Sequence, residues 1–150
     1  MEQKIEIKTV GMIGAGAVGA YFLWGMRNLP REDICLIARG ERKERLQKEG
    51  MVINGERFLY PVKTPEEAAG VDLLLIATKY GALPGLLEDI KTVVKPQTAV
   101  LSLLNGVDSE EIIGGAIGEE HMLYSLMRIS SERSGNIIFF DPEETRGMWF

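Results

Sequence analysis

The chain has few of the residues on which metal sites and disulfides depend. Its 150 residues include one cysteine, Cys35, and one histidine, His121. A single cysteine cannot form a disulfide within the chain, and one residue of each type is too few for a histidine–cysteine metal site. Cys35 lies in an apolar run, so we expect it to be a small buried hydrophobic residue. We therefore predict no metal site.

Long apolar runs and clusters of positive charge are also missing. No stretch reaches the ~20 apolar residues that a membrane span needs, and Met1-Glu2-Gln3-Lys4 is unlike the start of a secretory signal. The 17 basic and 22 acidic side chains give a net charge of −5, with no basic run or interleaved aromatic stripe. These absences argue against membrane and nucleic-acid partners and favour a cytoplasmic protein.

The residues that are present suit a single folded domain over residues 1–150. Apolar runs predict strands over residues 5–13, 34–38, 71–77, 98–104, 122–129 and 135–140. Helical patterns cover residues 17–29, 41–49, 83–94 and 107–113, with Gly114-Gly115 closing the last. Strands that alternate with helices indicate an α/β fold, a doubly wound, mostly parallel sheet of the Rossmann type. Asn54-Gly55 adds a β-hairpin as an insertion.

The first helix has a predicted apolar stripe. Val18, Phe22, Met26 and Leu29 are spaced to face the core. Leu23 and Trp24 lie off this stripe, so a second surface covers them or they are exposed to solvent.

A strict G-x-G-x-x-G pattern joins the first strand to this helix, in the segment Gly14-Ala15-Gly16-Ala17-Val18-Gly19. Gly14 allows a sharp turn off the strand, Gly16 leaves room for a pyrophosphate, and Gly19 lets the helix pack close to the sheet. The helix directs its free N–H groups at the phosphates. With a strand before it and a helix after it, this loop predicts a dinucleotide site; the alternative is a structural turn.

Polar side chains follow three other predicted strands. Arg39, Lys79 and Asn105 each come directly after an apolar run. Ligands bind at the carboxyl ends of the strands in such sheets, so we expect all three at the ligand site.

Arg39 bears on the choice of cofactor. An NAD site has an acidic residue at the end of the second strand, which binds the ribose hydroxyls. An arginine there suits a 2′-phosphate, which predicts NADPH rather than NADH. The alternative is a solvated basic loop, and nearby Glu41 also leaves NADH open.

Lys79 and Asn105 are the candidate catalytic residues. Lys79 could bind an anionic substrate or hold a carbonyl oxygen beside the nicotinamide. Asn105 could offer its amide to cofactor or substrate. The alternatives are a solvated charge for Lys79 and a turn or helix-capping residue for Asn105.

Together these segments resemble the ketopantoate reductases (2-dehydropantoate 2-reductases). The resemblance covers nearly the whole chain and rests on the glycine loop, Ile37-Ala38-Arg39, Thr78-Lys79, Asn105-Gly106-Val107 and residues 133–138. It implies that the loop binds the NADPH pyrophosphate, that Arg39 binds the 2′-phosphate and that Ser131 approaches the cofactor through its backbone. It also implies that Lys79 and Asn105 lie beside the nicotinamide and a 2-oxo acid substrate. The implied reaction belongs to pantothenate and coenzyme A biosynthesis.

The same resemblance implies that the family's second, helical domain, with its general-acid lysine, is absent from these residues. The chain by itself is then expected to bind cofactor and to be inactive. Apolar side chains that the second domain would cover are expected to be exposed or buried between copies in a homo-oligomer. Two other functions stay open: a reductase of another 2-oxo acid, and a non-enzymatic NADPH-binding module.

Overall fold

The structure, a computed structural model, describes residues 6–14, 16–104, 108–123, 126–128, 132–134, 137–139 and 147–149. The strands, in chain order, are β1 (Val10–Ile13), β2 (Ile34–Ile37), β3 (Met51–Ile53), β4 (Glu56–Phe58), β5 (Val62–Lys63), β6 (Leu73–Ile76), β7 (Ala99–Ser102), β8 (Met122–Leu123), β9 (Leu126–Arg128), β10 (Glu132–Ser134), β11 (Ile137–Phe139) and β12 (Gly147–Trp149). The helices are α1 (Ala17–Gly25), α2 (Gly40–Glu49), α3 (Leu83–Val93) and α4 (Asp108–Ile117), with short 3-10 turns at Arg31–Asp33, Tyr80–Ala82 and Glu119–His121.

Six strands form a parallel sheet in the order β5-β2-β1-β6-β7-β8. The predicted hairpin, β3 and β4, lies outside it in a four-stranded sheet with β10 and β11, and β9 pairs with β12. Asn54 and Gly55 connect the hairpin strands with φ angles of +49° and +84°, as a tight two-residue turn requires. The predicted α/β fold, with a parallel sheet and a hairpin insertion, is confirmed.

Both faces of the central sheet are buried. Successive side chains point to opposite faces, so Met12 of β1 belongs to one apolar cluster and Ile13 to the other. The first cluster includes residues of α1, α2 and the hairpin, and the second includes residues of α3 and α4. Helices on both faces explain why the strands appear in the sequence as continuous apolar runs. Cys35 of β2 is buried as predicted, and burial raises the pKa of its thiol.

The central strands are shorter than predicted. The first begins at Val10, and the strand predicted over residues 98–104 covers Ala99–Ser102. Strand β5 was not predicted because its two residues are too few to form a pattern. Within the predicted strands 122–129 and 135–140 lie β8, β9 and β11. Gly135 and Asn136, with which the last predicted strand begins, lie outside the described residues.

Helix α1 differs most from its prediction. It ends at Gly25 instead of Leu29, and Leu29 is 52% exposed. Among the described side chains of this helix, those of Ala20 and Leu23 are fully buried, so a second surface covers Leu23 and it is not exposed. Val18, Phe22 and Met26 of the predicted stripe pack against the core but are only partly buried, and the prediction is wrong for Leu29. Trp24 is partly buried, and the Arg27 guanidinium lies 3.8 Å from the centre of its ring.

Helix α4 runs through the glycine pair at which it was predicted to end. Gly114 and Gly115 are absent from the residues with positive φ, and the helix continues to Ile117. Gly118, with a φ of +106°, follows the helix and donates a hydrogen bond to the Gly114 carbonyl at 2.8 Å. The left-handed conformation that favours glycine is therefore adopted one residue beyond the helix. Among the residues that the structure describes, no helix is long and apolar enough to cross a membrane.

Candidate functional site

The carboxyl ends of four central strands meet along one edge of the sheet. Ile13, at the end of β1, lies beside Ile37 of β2 and Ile76 of β6. Ile76 in turn lies beside Ser102 of β7. The segments after these strands therefore start at the same level of the sheet, where open α/β folds bind their ligands.

The glycine loop turns directly off β1. Gly14 has a φ of +78°, and its carbonyl accepts a hydrogen bond from the Gly16 N–H at 2.6 Å. Gly16 is the N-cap of α1, and its carbonyl accepts the Ala20 N–H at 2.9 Å. Because Gly16 has no side chain, it gives the helix no side-chain cap, and the first turn contains no acidic residue. The positive end of the helix dipole thus faces the loop without an opposing carboxylate from that turn.

Two glycines of the loop lie where a side chain would collide. A Cβ atom at Gly14 would lie 2.8 Å from the Cα and N atoms of Thr78. At Gly19 it would lie 2.8 Å from Met12 Sδ and 3.1 Å from Ala77 Cβ. The contact at Gly14 accompanies the sharp turn that the sequence predicts, and the contact at Gly19 accompanies the predicted close packing of the helix on the sheet. That the loop holds a pyrophosphate stays a prediction.

A cavity of about 140 Å³ lies between the glycine loop and the segment after β2. It brings together Gly14 and Arg39, two residues that the sequence predicts to bind one cofactor. The other lining residues are Ile13, Ile37, Ala38, Arg42, Pro65, Thr78, Leu86 and Asp89.

The Arg39 guanidinium is bound by two carboxylates. Its Nε donates to Asp89 Oδ1 at 3.0 Å, and its NH2 nitrogen donates to Glu66 Oε1 at 2.5 Å and lies 3.0 Å from Asp89 Oδ1. The hydrogen bonds to Glu66 and Asp89 raise the pKa of Arg39. The hydrogen bond from Arg39 lowers the pKa of Glu66. Arg39 is therefore a permanent cation that already has anionic partners.

Sequence reasoning missed Glu66 and Asp89. Glu66 lies 27 positions from Arg39 and Asp89 lies 50 positions from it. Glu66 follows β5, the two-residue strand that was not predicted, and Asp89 is one of several polar residues of α3. Only the tertiary fold brings these side chains to the end of β2, so no local signal in the sequence identifies them.

Lys79 follows β6 at the same edge of the sheet. Its side chain is exposed, and its carbonyl accepts the Ala82 N–H at 3.0 Å at the start of a 3-10 turn. Within the described part of the chain, the Lys79 ammonium forms no ion pair. Lys79 comes directly after Thr78, the residue against which Gly14 is packed. Its amine can therefore take part in charge-assisted hydrogen bonds with a ligand.

The other predicted site residues divide into two groups. Ala17 begins α1, and Val18 is half-buried against the core. Ala15, Asn105 and Ser131 lie outside the described residues.

The parallel sheet, the glycine loop at its carboxyl edge and the helix behind the loop define a Rossmann-type α/β domain. Residues 10–145 match the family model described as ketopantoate reductase PanE/ApbA. The chain belongs to this family of oxidoreductases.

Similar sequences of individual proteins support the same family assignment. The chain is 32% identical over 118 residues to 2-dehydropantoate 2-reductase of Streptococcus pyogenes serotype M1, a match that covers 76% of this chain and 38% of the relative. It is 30% identical over 124 residues to the oxidoreductase YkpB of Bacillus subtilis, covering 80% and 41%. The chain thus spans about two fifths of the length of these relatives.

Solved structures show the same fold. The ternary structure of D-mandelate dehydrogenase with NADH and anilino(oxo)acetate matches with a TM-score of 0.73 and 25% identity. The match covers 89% of this chain and 45% of that protein.

Proposed function

We propose that this chain binds NADPH and forms the cofactor-binding part of a ketopantoate reductase. The observation that carries the proposal is that Gly14 of the glycine loop and Arg39 after β2 line the same cavity. In such folds the loop after the first strand binds the pyrophosphate, and the segment after the second strand lies beside the adenosine ribose.

The residues of the loop suit a pyrophosphate. Gly16 presents bare backbone at the amino end of α1, whose first turn contains no acidic residue. Backbone N–H groups and the helix dipole favour an anion at that position. The Arg39 guanidinium suits a 2′-phosphate because its planar fork can donate two parallel hydrogen bonds.

The proposed reaction is reduction of the 2-oxo group of ketopantoate to pantoate, a step of pantothenate biosynthesis. Bound NADPH would supply the hydride. Lys79 holds the substrate carboxylate or the carbonyl oxygen, and Asn105 offers its amide beside it. Support comes from the family match and from the name of the S. pyogenes relative.

A second candidate is a reductase of another 2-oxo acid. The similarity to D-mandelate dehydrogenase, whose structure contains NADH and anilino(oxo)acetate, favours it. Both candidates use the same cofactor loop, so the substrate pocket alone distinguishes them.

Reduction also needs a proton delivered to the carbonyl oxygen. Because the chain spans about two fifths of its curated relatives, we propose that residues 1–150 alone bind NADPH without reducing ketopantoate at a measurable rate. Absence of a general acid costs ~10²–10⁴-fold in rate.

Isothermal titration calorimetry tests the cofactor proposal. We expect NADPH to bind more tightly than NADH. Arg39→Ala should weaken NADPH binding by ~10–100-fold, because charge-assisted hydrogen bonds to the 2′-phosphate are lost, and should change NADH binding much less. Equal affinity of the unsubstituted chain for both cofactors, or binding of neither, would contradict the proposal.

A further inference from the structure

The three charged side chains at the end of β2 come from three separate elements. Arg39 follows β2, Glu66 belongs to the turn after β5, and Asp89 lies on α3. The Asp89 side chain is 23% exposed and that of Glu66 is 58% exposed. Asp89 and Arg39 both line the cavity that also contains Gly14. The cluster is therefore part of the candidate cofactor site.

The two carboxylates bind the Nε and NH2 groups of Arg39, which are one pair of N–H groups that can bind a phosphate in fork geometry. The Nε and NH2 groups of Arg39 point to Asp89 and Glu66. A 2′-phosphate bound in fork geometry requires two N–H groups of the same guanidinium. It also brings between one and two negative charges, about −1.5 to −2 at neutral pH for a phosphate monoester, close to two carboxylates.

NADH makes different demands on the same cluster. Its adenosine ribose carries a neutral 2′-hydroxyl, which can donate a hydrogen bond to a carboxylate. NADH can therefore bind while Arg39 stays paired with Glu66 and Asp89. The 2′-phosphate of NADPH comes close to both carboxylates, and to bind through the Nε and NH2 groups of Arg39 it has to displace at least one of them.

From this geometry we infer that Glu66 and Asp89 are specificity-determining residues, which lower the preference for NADPH by competing with the 2′-phosphate for Arg39. The inference rests on the proposed function, in that Arg39 receives the 2′-phosphate. It extends that function because Glu66 and Asp89, which belong neither to the glycine loop nor to the segment after β2, would set how strongly NADPH is preferred over NADH.

The experiment compares Glu66→Gln, Asp89→Asn and the double variant with the unsubstituted chain. Affinities for NADPH and NADH are measured by calorimetry, and affinities for 2′,5′-ADP and 5′-AMP isolate the adenosine end. We expect the double variant to bind NADPH and 2′,5′-ADP about tenfold more tightly, since each exposed charge interaction changes affinity by a few-fold. NADH and 5′-AMP should bind equally or more weakly.

Glu88→Gln is the matched control. Glu88 precedes Asp89 on α3 and forms an ion pair with Lys91 at 3.0 Å, so its substitution removes the same charge without removing a partner of Arg39. We expect it to leave the ratio of NADPH to NADH affinity within twofold of the unsubstituted chain. A change in the ratio as large as that of Asp89→Asn would show a general effect of charge and overturn the inference.

The failures of the two proposals are distinguishable. If the unsubstituted chain binds NADPH and the double variant keeps the same ratio of affinities, the inference is wrong and the proposed function stands. If both affinities change by the same factor, the carboxylates only hold α3 against the end of β2, and the inference is again wrong. If the unsubstituted chain binds neither cofactor, both proposals fail.

Discussion

A Cβ atom at Gly14 would lie 2.8 Å from the Cα atom of Thr78. The glycine loop after β1 and the segment after β6 are thus in backbone contact, in addition to the pairing of their strands. Gly14 also has a φ of +78°, a backbone conformation that residues with a side chain rarely adopt. Conformation and contact together restrict this position to glycine.

Gly14→Ala should therefore destabilise the chain and abolish measurable NADPH binding. A strained backbone conformation costs ~1–3 kcal/mol, and relief of the contact with Thr78 moves the loop away from the phosphate position. Urea unfolding measures the first effect and calorimetry the second. Gly85→Ala is the control, since a Cβ at this helical glycine meets no atom within 4 Å; it should stabilise α3 by ~0.5–1 kcal/mol. Equal effects of the two substitutions would contradict the prediction.

Leu23 and Leu29 allow a test of which face of α1 is buried. Leu23 is 0% exposed and Leu29, beyond the end of the helix, is 52% exposed. We expect Leu23→Ala to lower the free energy of unfolding by ~2–5 kcal/mol, and Leu29→Ala to change it by less than ~0.5 kcal/mol. The midpoints of urea denaturation check both. A larger loss from Leu29→Ala would support the face predicted from the sequence.

The error over α1 has a physical cause. Periodicity identifies a buried face from its large apolar residues, here Val18, Phe22 and Met26, which are only half-buried. The helix instead approaches the sheet through Gly19, whose lack of a side chain permits close approach to Met12 and Ala77, and the adjacent Ala20 is fully buried. Glycine gives no signal on a hydrophobicity scale, so the apolar periodicity misses this contact, which the G-x-G-x-x-G pattern does predict.

Other parts of the fold could be predicted because one local signal was sufficient. The turn at Asn54-Gly55 needs two adjacent residues with positive φ, and the sequence provides them. Strand β2 was predicted because it is apolar on both faces. For the site, the sequence predicted Gly14 and Arg39, which follow strands, but not the carboxylates that bind Arg39, because those depend on tertiary packing.

Asp72 links the segment before β6 to the segment before β1. Its Oδ2 atom accepts the backbone N–H groups of Lys8 at 2.8 Å and of Thr9 at 3.1 Å, and these hydrogen bonds lower the pKa of the carboxyl. A lowered pKa in the folded state stabilises the protein above the ordinary value of 3.8. As the pH falls from there through the folded pKa, the unfolded state binds the proton first and the stabilisation is lost.

Asp72→Asn should therefore be less stable than the unsubstituted chain at neutral pH, and the difference should shrink as the pH falls below 3.8. Thermal melts over a series of pH values down through this range measure both. A difference in melting temperature that stays constant with pH would mean that the Asp72 carboxylate contributes through packing alone.

Lys79 provides the test of substrate binding. Its exposed ammonium follows β6 at the carboxyl edge of the sheet, beside the proposed position of the nicotinamide. A charge-assisted hydrogen bond to a 2-oxo acid is worth ~1.5–3 kcal/mol, so Lys79→Ala should weaken ketopantoate binding to the NADPH complex by ~10–100-fold. NADPH binding should change less than ketopantoate binding, because the proposal assigns the two phosphate groups to the glycine loop and Arg39 and only the nicotinamide end to the neighbourhood of Lys79.

The control for this measurement is Lys95→Ala, which removes the ammonium of another exposed lysine, before β7 and thus at the opposite edge of the sheet. Ligand-observed nuclear magnetic resonance of ketopantoate in the presence of NADPH detects weak binding to the chain. The result that supports the proposal is a loss with Lys79→Ala, partial recovery with Lys79→Arg and no loss with Lys95→Ala. Equal losses of affinity from both alanine substitutions would mean that Lys79 contributes only general electrostatic attraction. No loss from either substitution would mean that Lys79 does not bind the substrate.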